Sequence, residues 1–166
     1  MNSSIRIRPA QRQDFDEIWD IFRAIVSQGD TYAFSPDTTR EQAKSVWFAE
    51  GTRTSVAVDA DRIVGTYVLK PNQPGLGSHV ANAAFMVAPM FQGNGIGERM
   101  CLHALAEAKI HGYRAMQFNF VVSTNRRAVE LWKRLGFSIV GTSPESFRHA
   151  RHGWVDVYVM HRFLKD

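Results

Sequence analysis

Residues 92–97 read QGNGIG, and this stretch lies between an apolar run at residues 80–87 and a helical pattern that continues to Gly112. The apolar run predicts a strand that Pro89 ends, and the following helix is predicted to begin inside the glycine turn. At such a junction a phosphate can accept hydrogen bonds from unpaired backbone N–H groups and meets the positive end of the helix dipole. An ordinary tight turn explains a lone G-x-G equally well.

The turn does not fit either of the two common nucleotide-binding loops. A dinucleotide fingerprint needs a longer glycine spacing and an acidic residue about 20 positions further on. A Walker loop needs Gly-Lys-Ser/Thr at the helix start, where this chain has Gly97-Glu98-Arg99. ATP and NAD are therefore poor candidates.

Strands and helices are predicted on both sides of this junction. The predicted strands are residues 4–8, 55–58, 62–69, 80–87, 116–122, 137–142 and 154–161. The predicted helices begin at Asp14, at Thr39, inside the glycine turn and at Asn125, and they end near residues 29, 50, 112 and 135. Asp14 with Glu17, and Thr39 with Gln42, are predicted to cap the first two helices. Residues 143–153 are predicted to form a mobile loop near the site.

Length and composition fit a single ordered domain spanning residues 1–166, because 45% of the 166 residues are hydrophobic. The net charge of +4 comes without a basic run interleaved with aromatics, which argues against nucleic acid. No apolar stretch approaches the roughly 20 residues that cross a bilayer, so we expect no membrane span. The single cysteine, Cys101, excludes an intrachain disulfide, and the cytoplasm is the expected location.

Gln92, Gly95 and Gly97 match the pattern Gln/Arg-x-x-Gly-x-Gly/Ala, by which the chain resembles the GNAT superfamily of acetyltransferases. Residues 125–137, NRRAVELWKRLGF, are similar to the family's N-x-x-A-x-x-L-[YW]-x-x-x-G-F segment. The resemblance implies a single α/β domain with about four helices and a mixed, mostly antiparallel sheet of about seven strands. Strands four and five are expected to splay apart. The implied activity is that of an acetyl-CoA-dependent N-acetyltransferase.

The resemblance also implies where the cofactor lies, with pantetheine along strand four and the pyrophosphate in the glycine turn. The implied cofactor-binding residues are Phe85, Val87, Gln92, Gly93, Asn94, Gly95, Ile96, Gly97 and Asn125. Pantetheine carries two amides, so it can pair with an exposed strand edge. Asn125 is explained equally by a plain helix N-cap. Trp132 stands where many family members place a tyrosine that protonates the leaving thiolate, and an indole N–H cannot replace that acid.

A closer resemblance is to a subgroup that acetylates proline analogues such as azetidine-2-carboxylate. It is carried by residues 79–83 (HVANA), 122–125 (VSTN), 131–132 (LW), 147–149 (FRH) and 153–156 (GWVD), together with Asn119. Two asparagines matching Asn82 and Asn119 hold the substrate in that subgroup, which makes them the catalytic candidates. Both interrupt strands that would otherwise prefer apolar residues. Hydrogen bonds from their amides to the backbone would explain them equally well.

The acceptor pocket is predicted to include Asn82 and Asn119 with Tyr32, Phe34 and Arg148. A solvated basic loop accounts for Arg148 equally well. Strand four lacks an acidic base, which leaves His79 or a chain of waters to take the proton from the amine. His149 and His152 lack further partners for zinc, so no metal is expected. Cys101 is predicted to be a small buried residue rather than a nucleophile.

These patterns together predict direct transfer of an acetyl group from acetyl-CoA to a small amino-acid-like amine in a ternary complex. A protein N-terminus, a polyamine or an antibiotic amine remains open as the acceptor. A non-catalytic acyl-CoA-binding module is a further alternative. The expected partner is a small-molecule amine, and a homodimer stays open beside a monomer.

Overall fold

Seven strands form one sheet in the computed structural model, which describes residues 5–165. They are β1 (Arg6–Pro9), β2 (Arg53–Asp59), β3 (Arg62–Pro71), β4 (Val80–Val87), β5 (Ala115–Val122), β6 (Ser138–His149) and β7 (Gly153–Phe163). Their spatial order is β1-β2-β3-β4-β5-β7-β6, and only β4 and β5 run parallel. The prediction of a mixed, mostly antiparallel sheet is confirmed. Ser4, where the first strand was expected to begin, lies outside the described residues.

Four α-helices of the described chain cover the two faces of the sheet. They are α1 (Phe15–Val26), α2 (Arg40–Trp47), α3 (Ile96–Ile110) and α4 (Arg126–Arg134). Phe22 and Trp47 of the first pair pack with Met86 on one face. Met100 and Trp132 of the second pair pack into the core on the other face. Successive strand residues alternate between the two faces, so a single sheet supports two hydrophobic cores. No helix within residues 5–165 is both long and apolar enough to cross a membrane.

Strands β4 and β5 pair only at one end, which confirms that they splay apart. Their register covers three residue pairs and stops at Asn82 opposite Gln117. Strand β3 remains paired with β4 as far as Val87. Ala88 N–H donates to the carbonyl of Val64 in β3, and the direction of backbone groups alternates along a strand. The main-chain groups of Phe85 and Val87 therefore face the gap that β5 leaves open.

The prediction of a mobile loop at residues 143–153 is wrong, because most of this segment belongs to a hairpin. Strand β6 extends to His149, β7 begins at Gly153, and Phe147 pairs with Val155 across the hairpin. The register shifts between Ser143 and Phe147, and Glu145 has a φ of 49° within that shift. This irregularity interrupts the alternation of polar and apolar residues by which a strand is identified from sequence.

The two predicted helix caps have different outcomes. Thr39 and Gln42 form the expected capping box, with Gln42 N–H donating to Thr39 Oγ1 at 3.2 Å. The predicted Asp14 and Glu17 pair is wrong. The Asp14 carboxylate instead accepts hydrogen bonds from Gln11 N–H and from the Arg8 guanidinium. The Glu17 carboxylate accepts from the backbone N–H of Ile63 at 2.9 Å, so it ties α1 to β3. Helix α2 ends at Trp47, short of the expected residue 50.

Candidate active site

A cavity of about 860 Å³ opens in the gap between β4 and β5. This volume lies within the range of about 300–1,000 Å³ in which proteins bind small molecules and cofactors. The cavity lining includes most of the residues predicted from sequence: Tyr32, Phe34, Asn82, Phe85, Val87, Gln92, Gly93, Gly95, Ile96, Gly97, Asn119 and Asn125. Residues from both predicted subsites, for cofactor and for acceptor, therefore meet around one space.

Two predicted residues do not line the cavity. The side chain of Asn94 is exposed and donates to the carbonyl of Phe91 at 3.1 Å. Arg148 belongs to β6, where it pairs with Trp154 and holds its guanidinium 5.9 Å from the centre of that ring. The hairpin that replaced the expected loop thus accounts for the position of Arg148 outside the cavity.

The glycine turn shapes the end of the cavity at the start of α3. Gly93 has a φ of +89° and Gly95, the N-cap of α3, a φ of +74°, and side chains rarely adopt such conformations. The buried side chain of Ile96 anchors the helix start in the core. A Cβ on Gly93 would lie 3.1 Å from Nη2 of Arg127, which lines the cavity from α4. The turn therefore combines free helix N–H groups with a nearby positive charge.

The carbonyls of β4 in the gap are already occupied by side chains. The Tyr32 hydroxyl donates to the carbonyl of Phe85, and Gln92 Nε2 donates to the carbonyl of Val87 at 3.3 Å. Burial raises the pKa of Tyr32, so its hydroxyl stays protonated as the donor. The N–H groups of Phe85 and Val87 face the same gap, and β5 does not pair with them. They are available to a ligand that brings its own carbonyl groups.

Asn82 and Asn119 belong to a connected row of amides. Asn82 Nδ2 donates to the backbone carbonyl of Gln117 at 3.0 Å, and Gln117 Nε2 donates to Asn119 Oδ1 at 3.0 Å. Asn119 Nδ2 in turn donates to Asn72 Oδ1 at 2.7 Å. Sequence reasoning missed Gln117 and Asn72. Gln117 could have been found from the sequence, because residues i and i+2 of a strand lie on the same face and Asn119 was already a candidate. Asn72 could not, because only the fold brings it next to Asn119.

Aromatic side chains form the apolar part of the cavity. Trp132 is buried, and its ring lies 5.3 Å from Phe85 and 4.9 Å from Phe118, measured between centroids. These contacts place the indole between β4 and β5, where it lines the cavity. His79, the histidine considered as a base, does not line it. A separate recess contains His79 together with Arg114 at the paired end of the two strands.

The titratable groups around the cavity include an acid that sequence reasoning missed. Asp30 lines the cavity, and its Oδ1 is buried without a hydrogen-bond partner among the described residues. Nearby His149 is buried, and its Nδ1 accepts from the N–H groups of Arg151 and His152. Burial, followed by the charge of His152, lowers the pKa of His149. The prediction for Cys101 agrees with its burial, which raises the pKa of the thiol to about 12. Residues 5–165 contain no cluster of three potential metal ligands.

Comparisons with known proteins agree on one family. Residues 15–137 match the model described as the Acetyltransferase (GNAT) family. The chain is 47% identical to a GCN5-related N-acetyltransferase from Kribbella flavida, with a TM-score of 0.93 over 96% of this chain and 98% of that one. It is 30% identical over 151 residues to N-acetyltransferase aca1 of Schizosaccharomyces pombe, covering 81% of this chain and 72% of that protein. The fold is also shared with yncA of Salmonella typhimurium, solved with its cofactor acetyl-CoA, at 20% identity and a TM-score of 0.82 over 99% of this chain and 96% of that one.

Proposed function

Because the chain belongs to the Acetyltransferase (GNAT) family, we propose that it transfers an acetyl group from acetyl-CoA to the amine of a small amino-acid-like acceptor. Azetidine-2-carboxylate and proline represent the expected acceptor class. The observation that carries this proposal is the single cavity between β4 and β5, which is lined both by the glycine turn and by Asn82 and Asn119. Donor and acceptor can therefore meet in one ternary complex.

The glycine turn fits the pyrophosphate of acetyl-CoA. Open space surrounds the position where a Cβ would stand on Gly95, so a phosphate can approach the amides at the start of α3. Arg127 adds a positive charge beside Gly93. Pantetheine would occupy the gap along β4, where its carbonyls can accept hydrogen bonds from the N–H groups of Phe85 and Val87.

The acceptor would lie against the row of amides on the other side of the gap. Within the row, Asn82 makes one amide hydrogen bond and Asn119 makes two, which leaves further donors and acceptors on both side chains for a ligand. Side-chain amides can bind both the carboxylate and the amine of an amino acid. Tyr32 and Phe34, whose rings stack with centroids 6.3 Å apart, form the apolar side of this subsite.

Positioning supplies most of the rate in this proposal. Acetyl-CoA contributes an activated thioester, and two bound reactants held in line react as a unimolecular pair. The N–H group of Val87 polarises the acetyl carbonyl and stabilises negative charge on its oxygen. The indole N–H of Trp132 could donate a hydrogen bond to the thiolate but could not protonate it, so the proposal assigns the proton transfers to water. Cys101 takes no part, because its neutral thiol lies in the core.

The test is acetyl-CoA-dependent thiol release with azetidine-2-carboxylate, proline, other small amino acids, polyamines and short peptides, with products identified by mass. Asn82→Ala and Asn119→Ala should each lower kcat/KM for the preferred amino acid by roughly 10- to 100-fold, as expected for lost hydrogen bonds to a charged ligand. Gln73→Ala is the matched control, since Gln73 is an exposed amide beside Asn72 that does not line the cavity.

Two results would contradict the proposal. Near-normal turnover in both asparagine variants would remove them from the acceptor site. Release with a polyamine or a peptide, and none with any amino acid, would keep the transfer chemistry and overturn the acceptor class.

A further inference from the structure

Asp30 stands apart from the other acidic residues because it lines the cavity and one of its carboxylate oxygens is buried without a hydrogen-bond partner. Among the buried side-chain nitrogen and oxygen atoms of residues 5–165, Oδ1 of Asp30 is the one without a hydrogen-bond partner. Removing a carboxylate oxygen from water without a replacement hydrogen bond costs free energy. Native proteins leave few such atoms, and each calls for an explanation such as a catalytic role or a water or ion that completes its hydrogen bonding.

Neighbouring cations do not neutralise Asp30. The ion pairs of the described residues involve other carboxylates. The charge of Asp30 acts to raise the pKa of His149, but burial has the larger effect and lowers that pKa. Nδ1 of His149 already accepts hydrogen bonds from two backbone N–H groups. Arg127 and Arg134 line the cavity from α4, Arg127 against Gly93 and Arg134 at 3.9 Å from Glu98, which lines the cavity too. Neither arginine forms an ion pair with Asp30.

Two hydrogen bonds anchor the residues on either side of Asp30. Ala150 N–H donates to the carbonyl of Gly29 at 2.9 Å, and the Tyr32 hydroxyl donates to the carbonyl of Phe85 in β4. The first holds the backbone before Asp30, and the second holds the Tyr32 side chain two residues later. Asp30 thus belongs to an anchored segment at the wall of the cavity that Asn82 and Asn119 also line.

We propose that Asp30 is the counter-ion for the ammonium group of the acceptor, which releases one proton to water before its nitrogen attacks the thioester; the departing thiolate takes up a proton from water. This inference rests on the proposed function and adds the charge state in which the acceptor is recognised. A carboxylate accepts hydrogen bonds from an ammonium group and is suited to select it over neutral molecules of the same shape. The amides of Asn82 and Asn119 remain available for the carboxylate of the acceptor. The two ends of a zwitterionic amino acid are then bound by groups of different kinds.

The test compares Asp30→Asn with Asp37→Asn in steady-state kinetics. Asp37 is the matched control, since it belongs to the same connection between α1 and α2, is exposed and does not line the cavity. Asp30→Asn should raise the KM for azetidine-2-carboxylate at least tenfold and change the KM for acetyl-CoA less than twofold. Asp37→Asn should change neither. An unchanged acceptor KM, or an equal rise in both constants, would overturn the proposal.

A second measurement separates ligand binding from a structural role. Without ligand, Asp30→Asn should leave Tm unchanged or raise it, because the substitution replaces a carboxylate whose Oδ1 is buried without a hydrogen-bond partner. A clear fall in Tm would show that Asp30 holds the fold together and would overturn the proposal.

The failure of this inference can be told apart from the failure of the proposed function. Thiol release by the unsubstituted protein tests the function alone. If no amine is acetylated, azetidine-2-carboxylate binding measured by calorimetry still tests Asp30. Binding to the unsubstituted protein that is weakened tenfold in Asp30→Asn supports the inference, and equal or absent binding to both proteins overturns it.

Discussion

Replacing Gly95 by alanine tests the phosphate cradle most directly. Gly95 has a φ of +74° at the N-cap of α3, and the space around its Cβ position is open to 4 Å. The substitution therefore causes no clash within the protein. It adds the strain of a side chain in the left-handed region, about 1–2 kcal/mol, and it places a methyl group where the pyrophosphate would approach.

Gly51 offers an unusually close control for that strain. Its φ is +77° and its Cβ position is also open to 4 Å, but it does not line the cavity. Gly51→Ala and Gly95→Ala should each lower Tm by about 2–8 °C, since 1 kcal/mol corresponds to about 2–4 °C in a domain of this size. Only Gly95→Ala should weaken acetyl-CoA binding, by at least about tenfold or 1.4 kcal/mol.

The assay is isothermal titration of acetyl-CoA into the two variants and the unsubstituted protein, with Tm measured in parallel. Equal affinity in all three proteins would refute the placement of the pyrophosphate at the glycine turn. An equal loss in both variants would mean that general destabilisation, and not the cradle, controls binding.

Three further predictions concern charge and protonation. Arg127→Gln should raise the KM for acetyl-CoA about three- to tenfold, because it removes the positive charge beside the glycine turn. The control is Arg126→Gln, at a neighbouring exposed arginine, which should leave this KM unchanged. Equal effects of the two substitutions would contradict the prediction. Burial raises the pKa of the Cys101 thiol to about 12, so this thiol should react with a disulfide reagent only after unfolding. The intact mass of the protein should also stay unchanged when acetyl-CoA is added alone. An acetylated enzyme would contradict direct transfer. The Arg8 guanidinium holds the pKa of Asp14 below its usual value, so Asp14 stabilises the fold above pH 4 and loses this contribution as pH falls further. The unfolding free energy of Asp14→Asn should therefore lie about 1–3 kcal/mol below that of the unsubstituted protein at pH 7, with a difference that shrinks in acid; a constant difference by urea titration would contradict it.

The geometry of the proposed cofactor half of the site was predictable because its signals are local. Pro89 ends β4, the glycines mark a turn, and Ile96 begins a helical pattern within a few residues of one another. Asn125 is the N-cap of α4, with its Oδ1 accepting from Ala128 N–H at 3.3 Å, as its residue type suggested. Each of these features depends on neighbours in the chain, so a sequence pattern can represent it.

The proposed acceptor half of the site was less predictable because its contacts join distant segments. Asn72 and Asn119 are 47 residues apart, and only the splay of β4 and β5 gives their amides a shared space. Aspartate is common in turns, so nothing in the sequence singles out Asp30. Only the buried Oδ1 and the position at the cavity distinguish it. The hairpin of β6 and β7 was missed for another reason, since its register shift hides the alternation of a strand.

The two sides of the cavity are supported by different hydrophobic cores, which lie on opposite faces of the sheet and are formed by different parts of the chain. The glycine turn and α4 are built on the core that contains Met100, whereas Tyr32 and Phe34 rest on the core that contains Phe22. Under the proposed function, substitutions in the segment after α1 are expected to alter the choice of acceptor with little effect on acetyl-CoA binding. Related proteins could therefore evolve different acceptor specificities while all using acetyl-CoA as the donor. The hydrogen bond from the Tyr32 hydroxyl to the Phe85 carbonyl of β4 would have to be kept.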